Sequence, residues 1–129
     1  MDRIRVGFIG TGRISDLHAI EYRNNAHTEI VALCDADPLL AESRAQAWGL
    51  EGVTITDNFV DLLTLDKVDL VDILLPHHLH ADAALAAIAA GKAVSLQKPM
   101  TLNLEQADRL VDAAATAGTP FRVFENFLF

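Results

Sequence analysis

Two glycines stand in a short segment, GTGRIS, that directly follows the first apolar run of the chain. Gly10 and Gly12 match the first two glycines of the dinucleotide-binding pattern G-x-G-x-x-G/A, and Ser15 takes the third position. The first glycine permits a tight turn, the second lets a pyrophosphate approach the backbone, and the following helix offers free N–H groups to phosphate. The segment predicts a cofactor-binding loop formed by Gly10, Thr11, Gly12, Arg13 and Ile14.

An acidic residue, Asp35, ends the second apolar run. In a dinucleotide-binding fold, an acid at this place accepts hydrogen bonds from the hydroxyls of the adenosine ribose and repels a 2'-phosphate. The next residues are Ala36, Asp37 and Pro38, so no basic side chain follows to hold such a phosphate. We therefore predict NAD rather than NADP as the cofactor. A purely structural turn with a solvated Asp35 is the alternative.

Three histidines occur in PHHLH, which follows the fourth apolar run. The carboxyl ends of parallel strands open onto the ligand crevice, so Leu75, Pro76, His77 and His80 are candidates for cofactor contact. A metal site is another use of clustered histidines. His77 and His80 are close together near a helix start, without a neighbouring cysteine or obvious carboxylate ligand, so we predict no metal here.

A lysine, Lys98, comes directly after the fifth apolar run and is followed by Pro99. A solubilising surface charge is the ordinary role of a lysine and remains the alternative. At the end of a buried strand beside a cofactor, its amine could hydrogen-bond a substrate oxygen and, with a lowered pKa, pass a proton as hydride moves. Pro99 would restrict the direction of the chain and so hold this amine in place.

Apolar strands that alternate with helical segments must position these residues. We predict strands at 4–9, 30–34, 53–55, 70–75, 93–97 and 121–124, and helices at 13–24, 38–48, 58–64, 79–90 and 103–117. Most of the strands are apolar on both faces, as expected between two helix layers. Parallel neighbours need helical crossovers, so the pattern predicts an α/β fold with a doubly wound parallel sheet, the three-layer Rossmann fold.

Length and charge limit the class of protein. The 129 residues, 22% of them charged, fit one globular domain, 1–129. Acidic residues outnumber basic ones by 18 to 10, and the net charge of -8 argues against nucleic acid or an anionic membrane as partner. No apolar run approaches the roughly 20 residues of a membrane span, and the N-terminus lacks a signal-peptide pattern.

A single cysteine, Cys34, excludes an intrachain disulfide and favours a reducing, cytoplasmic compartment. Because it follows the apolar residues IVAL, we expect it to be a small core residue. Two isolated histidines, His18 and His27, have no recognisable partner in the sequence and are expected at the surface.

The order GFIGTGRIS, CDADP, LLPHHLH and LQKPM resembles the N-terminal half of the Gfo/Idh/MocA oxidoreductases, over nearly the whole chain. The resemblance implies NAD(P)-dependent hydride transfer between nicotinamide and a secondary alcohol of a sugar, cyclitol or related polyol. In that family the lysine of a Glu-Lys-Pro motif contacts the substrate hydroxyl and takes part in catalysis. The resemblance carries this catalytic role to Lys98.

The resemblance also extends the cofactor-binding set to residues at later strand ends, namely Gln97, Pro99 and Asn126. Pro76 and His80 match a family pattern in which His77 replaces the usual asparagine. Gln97 stands where the family usually has glutamate, which removes a negative charge beside the lysine.

Family members continue into a second α/β domain that supplies much of the substrate pocket, whereas this chain ends at FRVFENFLF. We therefore expect the cofactor domain of a longer enzyme with a small-molecule substrate, and little turnover from this domain alone. A free-standing nucleotide-binding or assembly module without catalysis is the alternative. Its phenylalanine-rich end would then be a surface for self-association. The sequence leaves open whether the protein is a homo-oligomer.

Overall fold

Six strands form one parallel sheet in the computed structural model, which describes residues 3–75, 80–97 and 121–124. They are β1 (Ile4–Ile9), β2 (Thr28–Cys34), β3 (Thr54–Thr56), β4 (Leu70–Ile73), β5 (Ala93–Gln97) and β6 (Phe121–Phe124). The order across the sheet is β3-β2-β1-β4-β5-β6, with every neighbouring pair parallel. From β1 the first strands are added on one side, as β2 and β3, and the later strands on the other, as β4, β5 and β6. The crevice between β1 and β4 is therefore the topological switch point, where doubly wound sheets bind ligands.

Within the described ranges, four helices lie between these strands: α1 (Ser15–Asn24), α2 (Pro38–Ala47), α3 (Phe59–Leu63) and α4 (His80–Ala89). Local sequence explains two of the starts. Asp37 caps α2 by accepting a hydrogen bond from the Leu39 N–H, with Pro38 in the first turn, and Asn58 caps α3 at the Asp61 N–H. The predicted helix at 103–117 lies outside the described residues. No helix within the described ranges is long and apolar enough to cross a membrane.

The two faces of the sheet carry separate cores. Alternate residues of β1 point to opposite faces, so Ile9 joins the core beneath α3 and α4, whereas Phe8 joins the core beneath α1 and α2. Phe8 makes edge contacts with Tyr22 of α1 and with Trp48 just after α2, with ring centroids 5.7 and 5.5 Å apart. The predicted α/β fold with a three-layer Rossmann architecture is confirmed.

Cys34, at the end of β2, is buried and carries a free thiol, as expected for a core residue. Burial raises the pKa of this thiol. The side chain is therefore held in its neutral form and packs as a small apolar residue.

A buried carboxylate interrupts the core under α1. Asp72 of β4 is fully buried, and its register partners are Phe8 of β1 and Ser95 of β5. Its Oδ2 lies 2.7 Å from His18 Nδ1 and accepts a hydrogen bond from the Tyr22 hydroxyl at 3.1 Å. His18 and Tyr22 are one turn apart on α1, so both can reach the same carboxylate.

The expectation that His18 lies at the surface without a partner was wrong. Its side chain is only 11% exposed because α1 lays this position against β4, whereas His27 is exposed as expected. Burial alone would lower the pKa of His18, but the hydrogen bond and negative charge of Asp72 outweigh burial and raise it. Burial also raises the pKa of Tyr22, and Asp72 raises it further.

The His18–Asp72 pair predicts a pH-dependent stability. Because the folded-state pKa of His18 exceeds its ordinary value of 6.5, the stabilisation is complete below that pH and is lost as pH rises through the folded pKa. Urea titrations between about pH 6 and 8 should show the free energy of unfolding falling with pH, by at most about 1.4 kcal/mol per pH unit for one proton. His18→Asn should remove this component of the slope. The control His27→Asn should follow the wild-type curve, and a His18→Asn slope equal to wild type would contradict the assignment.

Candidate functional site

The turn that follows β1 requires a glycine at its first position. Gly10 has a φ of 100°, a backbone conformation that residues other than glycine rarely adopt. A Cβ atom added here would lie 2.8 Å from the backbone oxygen of Leu74, at the end of β4. The Gly10 N–H donates to the Cys34 carbonyl of β2 at 2.8 Å. The turn is thus fixed between the strands on either side of β1.

The residues after this turn leave backbone donors unused. Among the described residues, nothing accepts a hydrogen bond from the N–H groups of Gly12, Arg13 or Ile14. A Cβ on Gly12 would meet no atom within 4 Å, so the space in front of it is open. The buried Ser15 closes the loop by donating from its Oγ to the Gly12 carbonyl. Free N–H groups at the start of a helix suit an anionic group such as a pyrophosphate.

Asp35 is held by the loop rather than being free in solvent. Its Oδ2 accepts hydrogen bonds from the Thr11 N–H at 2.9 Å and from the Thr11 hydroxyl at 2.8 Å. Its Oδ1 accepts from the Asp37 N–H at 2.9 Å. A carboxylate offers about four acceptor sites, so three internal bonds fix its orientation and leave capacity for a ligand hydroxyl.

The carboxyl ends of β4 and β5 open at the same edge of the sheet as residues 10–14, which we call the glycine loop. Leu75 borders the loop, since its Cδ2 would lie 3.4 Å from a Cβ on Gly10. The two strands pair in parallel, with Ile73 opposite Leu96. His80 begins α4 and Gln97 ends β5. The other predicted site residues, Pro76, His77, Lys98, Pro99 and Asn126, lie outside the described residues.

Three residues behind the loop were missed by sequence reasoning: Asp16, Arg44 and Trp48. The Arg44 Nε donates to the Thr11 carbonyl at 3.0 Å, and its Nη1 donates to Asp16 Oδ2 at 3.1 Å. The Trp48 Nε1 donates to Asp16 Oδ1 at 2.8 Å. Neither the spacing of these residues nor a local sequence pattern signals their hydrogen bonds, because the bonds form only when α1 and α2 pack on the same face of the sheet.

Comparison with known proteins places this arrangement among oxidoreductases. A family model described as an oxidoreductase family with an NAD-binding Rossmann fold matches residues 4–125. A D-apiose dehydrogenase from Paraburkholderia graminis is 36% identical over 125 residues, which cover 97% of this chain and 33% of that protein. The chain spans about a third of the length of the curated relatives it matches.

Two solved structures show the same fold with different cofactors bound. The WlbA dehydrogenase from Chromobacterium violaceum, in complex with NADH and UDP-GlcNAcA, has a TM-score of 0.89 at 26% identity. The match covers 97% of this chain and 36% of that one. A variant of KijD10, a 3-ketoreductase from Actinomadura kijaniata in complex with TDP-benzene and NADP, has a TM-score of 0.90 at 30% identity. That match covers 98% of this chain and 38% of the KijD10 chain.

The two glycines of the loop should differ sharply in their tolerance of a side chain. Gly10→Ala forces a Cβ against the Leu74 carbonyl in a left-handed backbone, and should lower the free energy of unfolding by about 2 kcal/mol or more. At Gly12 the space is open and φ is not positive. Gly12→Ala should therefore change the free energy of unfolding by less than about 1 kcal/mol. Urea denaturation measures both, and equal losses would contradict the geometry of the turn.

Proposed function

The chain belongs to the Gfo/Idh/MocA oxidoreductase family, whose model spans residues 4–125, and on this basis we propose that it is the cofactor-binding domain of an NAD(P)-dependent dehydrogenase. The proposed reaction moves hydride between nicotinamide and a secondary alcohol of a sugar, cyclitol or related polyol. The D-apiose dehydrogenase among its relatives supports a sugar-like substrate.

One observation carries the proposal: the loop after β1 presents unused N–H groups beside an oriented carboxylate. The N–H groups of Gly12, Arg13 and Ile14 would hold the pyrophosphate, and the open space at Gly12 would admit it. Asp35, fixed by Thr11, would accept hydrogen bonds from the hydroxyls of the adenosine ribose. The residues present therefore fit a dinucleotide.

NAD is the proposed cofactor in preference to NADP. The Asp35 carboxylate would repel a 2'-phosphate, and the three residues that follow it include a second acid and no base. Arg44, the basic residue bound to Thr11, is already engaged with Asp16. The structural relatives include complexes with NADH and with NADP. The proposed preference for NAD therefore rests on these residues of the chain and not on its family.

Lys98 is the proposed catalytic residue. It directly follows Gln97, the last residue of β5, and β5 pairs with the strand whose end borders the glycine loop. A neutral amine there would accept the proton of the substrate hydroxyl, and the cofactor, when bound, supplies the hydride acceptor. Pro99 would direct the chain after it, and the other predicted contacts, Leu75, Pro76, His77, His80, Gln97 and Asn126, would line the nicotinamide side.

A further domain of a longer protein would complete the substrate pocket, consistent with relatives about three times as long. We propose a cytoplasmic location, supported by the free thiol of Cys34. The net charge of -8 supports a small-molecule partner rather than nucleic acid or an anionic membrane.

Cofactor titration tests the role of Asp35. By calorimetry, the wild-type protein should bind NADH more tightly than NADPH. Asp35→Asn should weaken NADH binding about tenfold, the cost of a charge-assisted hydrogen bond, and should not weaken NADPH binding, because the repulsion of the 2'-phosphate is gone.

The matched control is Asp37→Asn, which removes a charge two residues away and keeps a good cap on α2. It should bind NADH as tightly as the wild type does, whereas Asp35→Asn should not. Tighter binding of NADPH than of NADH by the wild-type protein would contradict the assignment of Asp35.

Turnover tests the role of Lys98. In the full-length enzyme, Lys98→Met should lower kcat by about 100-fold or more, because it removes the group that exchanges the proton, and leave the Kd for NADH unchanged. Lys67→Met is the control, since Lys67 binds Thr54 at the start of β3. Full turnover by Lys98→Met would contradict the catalytic role.

A further inference from the structure

Arg44 connects the glycine loop to α1 through two different acceptors. Its Nε donates to the Thr11 carbonyl and its Nη1 to the Asp16 carboxylate, at 3.0 and 3.1 Å. The other Asp16 oxygen accepts from the Trp48 indole, which is 5% exposed. We call these three side chains, Asp16, Arg44 and Trp48, the loop brace. Arg44 suits this role because the guanidinium is a rigid fork with several donors.

Thr11 stands between the loop brace and Asp35. It is fully buried, and its three polar groups are all engaged: the carbonyl with Arg44, and the N–H and hydroxyl with Asp35 Oδ2. A displacement of Thr11 would therefore take away two of the three hydrogen bonds that orient the Asp35 carboxylate. The remaining bond, from the Asp37 N–H, would leave that carboxylate free to turn.

We propose that Arg44 and Asp16 are positioning residues that set cofactor selectivity by fixing Thr11 and, through it, Asp35. The inference rests on the proposed dinucleotide function. A held carboxylate both binds the ribose hydroxyls and repels a 2'-phosphate, whereas a mobile one does each less well. Loss of the loop brace therefore weakens NADH binding and relaxes the exclusion of NADPH.

The charge of Asp16 gives Arg44 a second effect. Asp16 lies in the first turn of α1, at the end proposed to receive the pyrophosphate. Arg44 and Trp48 occupy both of its oxygens and offset a charge that would otherwise repel phosphate. This effect changes the affinity for NADH and NADPH equally, so it is separable from the effect on selectivity.

The test is calorimetric titration of Arg44→Met with NADH and NADPH. We expect the ratio of the Kd for NADPH to that for NADH to fall about tenfold, the loss of roughly one hydrogen bond to a charged group. Arg44→Lys should give an intermediate ratio, because one amine cannot span both acceptors. Adding Asp16→Asn to Arg44→Met should restore affinity for both cofactors to a similar extent and leave the ratio low.

Arg23→Met is the matched control, since Arg23 is exposed in the last turn of α1, and it should leave the ratio unchanged. A purely structural role for Arg44 would lower the melting temperature or weaken both cofactors equally. An unchanged ratio in Arg44→Met would therefore overturn the inference.

A measurement without cofactor separates this inference from the proposed function. Hydrogen exchange of the Thr11 amide should be about tenfold faster in Arg44→Met than in wild type, and unchanged in Arg23→Met. If the wild-type protein failed to bind either cofactor but Thr11 exchange accelerated, the proposed function would fail while the positioning of Thr11 would stand. Unaltered Thr11 exchange in Arg44→Met would overturn the positioning role even in a protein that binds NADH.

Discussion

The turn at Gly10 is the contact on which the rest of the site depends. Its N–H binds the end of β2, and its α-carbon lies so close to the end of β4 that no Cβ fits. The positive φ of this residue directs Thr11 towards Asp35 and sends Gly12 into open space. The carboxylate and the unused N–H groups therefore share one edge of the sheet because three strands meet at a single glycine.

Helix α1 is attached to the sheet by directional bonds as well as by packing. Asp16 in its first turn contacts α2, and His18 and Tyr22 contact the buried Asp72. The opposite core, beneath α3 and α4, is built from apolar side chains. Because charged and hydrogen-bonded groups tolerate little displacement in a buried site, the face that carries α1 holds the loop after β1 in a defined position.

On the proposed function, the described residues correspond more to the adenosine half of a dinucleotide site than to the half where chemistry would occur. Thr11, Gly12 and Asp35 have defined contacts, whereas the assignment of Lys98 depends on family membership and on the end of β5 beside β4. The proposed cofactor contacts therefore lie at one edge of the sheet. The chain spans about a third of the length of its relatives, so the proposal for substrate selection concerns a longer protein.

Over the described residues, the sequence by itself determined the order of strands and helices, the glycine loop and the acid after β2, because these depend on local backbone conformation and on apolar periodicity. It also placed Cys34 in the core. Only the tertiary structure decided that His18 is buried against Asp72 and that Arg44 reaches Thr11. These contacts join residues far apart in the chain, and their formation depends on which side chains each helix presents to the sheet and to its neighbouring helix. Local sequence carries no signal for such partners.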